Sequence, residues 1–213
     1  VDTAQIAELL HPFAELNQQQ LTDTLTYIDL LCRWNSRVNL TAVRDPKEII
    51  TRHFGESFFA ARQLLSPGDA GAVVDLGSGA GFPGLPLAMF APQAQITLIE
   101  SNGKKAVFLR EVIRSLSLRN VAVFDRRAEE YRNTAILVTM RAVEKFESAL
   151  VLASRLVATQ GRLALMVGAA QVQQAETLVP GFSWEEPLPI PGGHSRVLLV
   201  GTRLVTVEAG SRV

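Results

Sequence analysis

The stretch Val73-Val74-Asp75-Leu76-Gly77-Ser78-Gly79-Ala80-Gly81-Phe82-Pro83-Gly84 constrains this chain more than any other. Two β-branched residues run into an acid, glycines alternate with small residues, and a proline opens an apolar run. The pattern predicts a buried strand, a tight loop and a helix start. Glycines in such a loop let the backbone adopt φ > 0 and let a ligand lie against bare main chain. The loop N–H groups and the N-terminus of the next helix are expected to face that ligand.

The glycine spacing separates ligand classes. Dinucleotide sites use G-x-G-x-x-G, which brings a pyrophosphate to the helix dipole. Here the spacing is G-x-G-x-G, with Asp75 two residues ahead of the first glycine. A carboxylate at a strand end opposes a phosphate and suits a cationic or hydroxyl-bearing ligand. S-adenosylmethionine (SAM) carries a sulfonium and an ammonium and no phosphate, so Asp75, Gly77, Ser78, Gly79, Gly81 and Phe82 are candidate cofactor contacts. A purely structural glycine turn in another α/β protein is the competing reading. Glu100 closes the next strand-like run, Gln95–Glu100, at the place where an acid bonds ribose hydroxyls in doubly wound sheets.

Bulk properties narrow the class. With 213 residues, 47% hydrophobic and 20% charged, the chain fits one sizeable α/β domain with an N-terminal addition. No apolar run approaches bilayer length, and the N-terminus lacks signal-peptide order. Cys32 is the only cysteine, so no internal disulfide forms and a cytoplasmic setting is expected. Its neighbours Leu30, Leu31 and Trp34 suggest a buried, inert thiol. Three histidines and one cysteine do not make a zinc cluster, and no metal is expected. Lys+Arg and Asp+Glu both number 21, against a strongly basic, non-specific nucleic-acid binder, although a local basic face stays open.

Along the chain, residues 1–66 read as a helical extension and 67–213 as the cofactor domain. Leu21, Leu25, Ile28 and Cys32 recur at helical spacing. Asp45-Pro46-Lys47-Glu48 is a helix start, and Ile50, Phe54, Phe58, Ala61 and Leu65 form one apolar stripe. Strand-like runs at 73–76, 96–100, 121–124, 136–140 and 162–167 alternate with helical runs at 85–90, 104–116 and 144–158. That order predicts a doubly wound, Rossmann-like, mostly parallel sheet with helices on both faces. Its ligand site lies beyond the strands' carboxyl ends. Residues 182–188 and 196–200 read as a final antiparallel hairpin.

These segments together resemble the bacterial small-subunit ribosomal RNA guanine-N7 methyltransferases, the glucose-inhibited division protein B family. The likeness rests on Trp34-Asn35, Val38-Asn39-Leu40-Thr41-Ala42, Arg44-Asp45-Pro46, the glycine block with its Phe-Pro-Gly ending, Arg127-Ala128-Glu129-Glu130 and Arg141-Ala142. The resemblance implies a class I SAM-dependent methyltransferase acting on N7 of a guanine in 16S ribosomal RNA, at guanosine-527. It also implies cofactor contacts at Gly77, Phe82, Ala128, Glu129 and Arg141. The residues alone leave Arg141 open between the SAM carboxylate, an RNA phosphate, and an ion pair with Glu144 or Glu147.

The chain departs from the family pattern in three places. Ile136-Leu137 stand where an acid is usual, Val167-Gly168 where Lys-Gly is usual, and Glu56-Ser57 where an aspartate-serine pair is usual. Guanine N7 carries a lone pair and no proton, so its methylation requires no general base, and no catalytic base is expected. Candidate RNA contacts are Arg37, Asn39, Arg44, His53, Arg126 and Arg196, with the small ribosomal subunit or its RNA as partner. A small-molecule methyltransferase on the same fold and a non-catalytic SAM- or RNA-binding module are the alternatives.

Overall fold

A computed structural model describes residues 1–143, 145–193 and 195–205. Helix α1 (Thr3–Leu10) is capped by Asp2 and α2 (Gln18–Asn35) by Asn17, each with a reciprocal glutamine three residues on. Gln20 also donates to the Met89 carbonyl at 3.1 Å, which ties α2 to the chain beyond the glycine loop. The expected helix start at Asp45 is present: Pro46 opens α3 (Pro46–Ile49), and the Asp45 carboxylate accepts from Glu48 N–H. A π-helical turn over Ile50–Gly55 then runs into α4 (Glu56–Leu64). The predicted stripe Ile50, Phe54, Phe58, Ala61 and Leu65 is buried along it. A Cβ on Gly55 would meet the Phe13 ring at 2.7 Å, so bare backbone at that position admits the ring.

The remaining elements alternate as expected. They are β1 (Ala72–Leu76), α5 (Gly84–Phe90), β2 (Gln95–Ile99), α6 (Gly103–Ser115), β3 (Val121–Phe124), β4 (Ala135–Arg141), α7 (Phe146–Leu156) and β5 (Val157–Gly168). Then come α8 (Val172–Leu178), β6 (Phe182–Trp184), β7 (Leu188–Pro189) and β8 (Arg196–Arg203). Among the described residues the sheet order is β3-β2-β1-β4-β5-β8-β6, with β7 also on β8. The first five strands pair in parallel, and β8 runs antiparallel between β5 and β6. The C-terminal hairpin is thus a strand inserted beside β5, with only Leu188–Pro189 and Phe182–Trp184 as partners on its far side.

The chain builds outward from β1 through β2 to β3, then returns to place β4 on β1's other edge. That reversal makes the carboxyl ends of β1 and β4 the switch point where an open α/β sheet receives its ligand. Beneath it, the N-terminal helices and one face of the sheet share a single apolar cluster, from Ile6, Tyr27 and Phe58 to Leu98 and Leu137. The opposite face packs on α7 and α8 through Leu150, Ala153 and Ala175.

Two sequence expectations need correction. Cys32 is exposed. The buried face of α2 carries Leu21, Thr24, Ile28, Leu31 and Asn35, so the true stripe runs one position off the one that would cover the thiol. Arg141 does not pair with Glu147. Its ion-pair partner is Glu56, Glu147 instead accepts from Gln174, and Glu144 lies outside the described residues, as does His194.

Candidate active site

The loop after β1 is tied down by its own hydrogen bonds. Gly77 and Ser78 N–H both donate to the Ile99 carbonyl at the end of β2, at 2.9 and 3.0 Å. Gly79 N–H donates to Glu100 Oε2 at 2.9 Å, and Gly81 and Phe82 N–H donate to the Ser78 carbonyl. Gly77, Gly79 and Gly81 have φ of +70°, +57° and +91°, which an L side chain rarely adopts. The expected row of free N–H groups facing a ligand is therefore absent. Five loop donors are consumed internally, and the first N–H of α5, on Gly84, is held at 3.2 Å by Asp75.

Asp75 itself corrects a prediction. Its side chain is fully buried, and it lines neither cavity of the cleft. One oxygen accepts from the Thr139 hydroxyl on β4 at 2.8 Å, the other from Gly84 N–H. It braces loop, strand and helix from beneath, with both oxygens engaged inside the protein. Burial lifts its carboxyl to about 6, with Thr139, Ser78, Gly84 and Arg141 opposing the rise. Gly81 is likewise internal. A Cβ there would run into the Tyr27 hydroxyl and Leu85, and that hydroxyl donates to the Ala80 carbonyl. Tyr27 lies so far from the loop in sequence that no local pattern announces it.

Above the loop, two cavities of about 610 and 570 Å³ share Gly77, Glu100, Ser101 and Val143, and so form one cleft. The first continues past Arg126, Arg127, Ala128 and Glu129, on and beside a 3₁₀ turn after β3, to the flank of α7. The second runs over Ser78, Gly79 and Phe82 to Thr41, His53 and Arg141. Glu100 sits where they join. Its oxygens accept from Gly79 and Asn102 N–H at 2.9 and 2.7 Å, which leaves half of its lone-pair capacity for a ligand. Gly77, Ser78, Gly79, Phe82, Glu100, Ala128, Glu129 and Arg141, all predicted as cofactor contacts, are brought together here.

The second cavity ends at a charged cluster that sequence reasoning largely missed. Glu56, only 2% exposed, takes Arg196 Nη2 at 2.6 Å and Arg141 Nη2 at 3.3 Å. Burial outweighs the nearby guanidiniums and holds its carboxyl above the usual range. Arg141 Nη2 also donates to the Arg52 carbonyl at 2.6 Å and to His53 Nδ1 at 3.1 Å. Burial, then the charges of Arg141, Arg52 and Arg196, depress the His53 imidazole to about 3. The His53 ring stacks on Phe82 at 5.0 Å, and Phe82 stacks on Tyr27 at 5.3 Å. The only sequence signal for Glu56 was its place in a family motif.

Among the predicted RNA contacts, His53 lines the second cavity of the cleft and Arg126 the first. Arg196 reaches a small adjoining recess of about 180 Å³ that also holds Arg52, Val167 and Gly168. Arg37 is not brought there; it lines a separate hollow with Trp34 and Glu111. Asn39 is exposed and outside the cleft lining, and Arg44 donates to the Asn35 carbonyl. The chain break after α2 is held by Asn35, whose Oδ1 accepts from Leu40 and Thr41 N–H. Ile136, one of the departures, lies at the amino end of β4, a strand-length from the cleft.

The family profile described as rRNA small subunit methyltransferase G matches residues 20–186. The chain belongs to that family. A ribosomal RNA small subunit methyltransferase G of Xylella fastidiosa (strain 9a5c) is 40% identical over 181 residues, 83% of this chain and 84% of the relative. One from Xanthomonas axonopodis pv. citri is 42% identical over 183 residues, 84% of each. In fold, the chain is similar to a SAM-dependent O-methyltransferase of Thermotoga maritima, with a TM-score of 0.60, 17% identity, and coverage of 84% of this chain and 71% of that one. The observed sheet is that of the class I methyltransferases.

Proposed function

We propose that this protein transfers the methyl group of SAM to N7 of a guanine in 16S ribosomal RNA. SAM-dependent methylation of small-subunit ribosomal RNA follows from family membership; the atom, the nucleotide and the residue roles are our reading. One observation carries the cofactor assignment. The loop's donors are consumed internally, so it offers no row of N–H groups to a diphosphate, while the half-free Glu100 carboxylate at the centre of the cleft suits a hydroxyl-rich ligand. The free lone pairs of Glu100 suit a ribose diol, and Ala128 with Glu129 suit the adenine edge. The bare main chain at Gly77–Gly79 admits the methionine part.

Bound there, SAM supplies an electrophilic methyl group; the N7 lone pair displaces it from sulfur, charge passes to the purine, and no proton has to leave. The protein's task is alignment, which alone lowers such a barrier by about 7–11 kcal/mol. Phe82, packed between Tyr27 and His53, is a rigid wall of the cavity that takes the base. Arg52 and Arg196, in the adjoining recess, suit the phosphates of an extruded nucleotide. Residues 1–66 act as an extension packed on the cofactor domain, and the setting is the cytoplasm, with the RNA or the small subunit as partner.

Complementation tests the assignment. The chain is expressed in cells that lack their own enzyme, and their 16S RNA is cleaved with borohydride and aniline before primer extension. A restored stop at the guanine implied by the family resemblance is expected. A stop that stays absent while the protein accumulates and binds SAM would refute it.

A further inference from the structure

We propose that the Thr41 hydroxyl is a locked hydrogen-bond donor that reads O6 of the target guanine and thereby rejects adenine. The inference rests on the function proposed above. It begins at Arg141, whose guanidinium has donors and no acceptor. Arg141 Nη2 lies 3.1 Å from His53 Nδ1, so Nδ1 must accept. A neutral imidazole that accepts at one nitrogen carries its proton on the other. His53 Nε2, 2.7 Å from Thr41 Oγ1, is therefore the donor in that pair. Val43 N–H donates to the same oxygen at 3.1 Å.

Both lone pairs of Thr41 Oγ1 are then occupied. Its own proton is left over, and among the described residues it reaches no acceptor. Thr41 lines the cavity with Phe82, His53 and Arg141, and a hydroxyl proton with no acceptor inside the protein is directed to that space, the one assigned to the base. It can donate there and cannot accept. Guanine presents the acceptor O6 beside N7 on one edge, where adenine presents an amino donor. A site holding N7 in line with the methyl group thus meets its partner in guanine and a second donor in adenine. Sites built around a required hydrogen bond discriminate strongly against ligands that lack it.

The test uses small subunits reconstituted with 16S RNA joined from fragments, carrying guanine or 2-aminopurine at the target position. 2-Aminopurine keeps N7 and lacks O6. Single-turnover transfer of tritiated methyl is compared for the unaltered protein, Thr41→Val and Thr41→Ser, after calorimetry has shown that each binds SAM. The unaltered protein and Thr41→Ser are expected to slow roughly tenfold from guanine to 2-aminopurine. Thr41→Val should be roughly tenfold slower on guanine and slow no further on 2-aminopurine. Thr41→Ala serves the same arm if Thr41→Val does not bind SAM. Indifference of the unaltered protein to O6, or a valine variant that keeps the full preference, would overturn the inference. Failure of the unaltered protein to methylate the guanine substrate would instead overturn the proposed function, and this inference with it.

Discussion

The fully buried Asp75 carboxyl holds its proton to higher pH than an exposed aspartate does. Its carboxyl titrates at about 6 in the fold against 3.8 in an open chain, chiefly because of burial. The folded state therefore holds this proton more tightly than the unfolded one. The resulting stability is fully present below pH 3.8 and is lost as pH rises through about 6. About 2 pH units correspond to about 3 kcal/mol of destabilisation at pH 8. Asp75→Asn removes the charge and keeps the geometry: Oδ1 can accept from Gly84 N–H, while Nδ2 donates to the Thr139 hydroxyl oxygen. The variant should match the parent near pH 4. At pH 8 it should exceed it by up to about 3 kcal/mol, or roughly 6–12 °C in Tm for a domain of this size. Thermal unfolding of both proteins in parallel from pH 4 to 8 isolates this group, because all other titrations are common to the pair. A variant less stable at pH 8, or a difference that does not change with pH, would refute the reasoning.

Other outcomes follow from the same geometry. Glu100→Gln should weaken SAM binding by roughly 10–100-fold in calorimetry, the size of lost charge-assisted hydrogen bonds, and unchanged affinity would remove Glu100 from the cofactor site. Gly81→Ala places a methyl against Tyr27 and Leu85 at φ +91° and should cost about 2–5 kcal/mol in thermal unfolding, with loss of SAM binding; a variant as stable as its parent would contradict the packing described. His53 should remain neutral with its proton on Nε2 from pH 5 to 8 in nitrogen-detected NMR, because its imidazole titrates only near 3; a transition near 6.5 would contradict the Arg141 contact. Cys32 should take one equivalent of a thiol reagent in the native protein with methyl transfer intact, and a native thiol that resists labelling would contradict its exposure.

What the sequence made legible is what local patterns encode. Alternating strand and helix periodicity gave β1 to β5, and Asp45-Pro46 gave a helix start, because both depend on residues within a turn or two. The ligand loop was legible because φ > 0 at three close positions demands glycine. What it could not show is where the donors go. The N–H groups of that loop look free in sequence, and only the folded loop, set against Ile99 and Glu100 and turned back on the Ser78 carbonyl, reveals them as spent. That Asp75 is fully buried and bonded to Thr139 and Gly84 is hidden from sequence in the same way. Tyr27 under the loop and Glu56 between Arg141 and Arg196 are contacts across many tens of residues, invisible to any periodicity. Cys32 was misplaced by a single residue, because a stripe read from Leu21 fits two helical phases until Thr24 and Asn35 are seen to be buried.

The function proposed above requires the cleft over the carboxyl ends of β1 and β4 to align a sulfonium methyl with guanine N7 in small-subunit RNA. Tritiated-methyl transfer from SAM into hypomethylated small subunits, followed by digestion and nucleoside mapping, tests it most directly. Label confined to 7-methylguanosine is the predicted result. Label on any other nucleoside, or none while SAM remains bound, would contradict it.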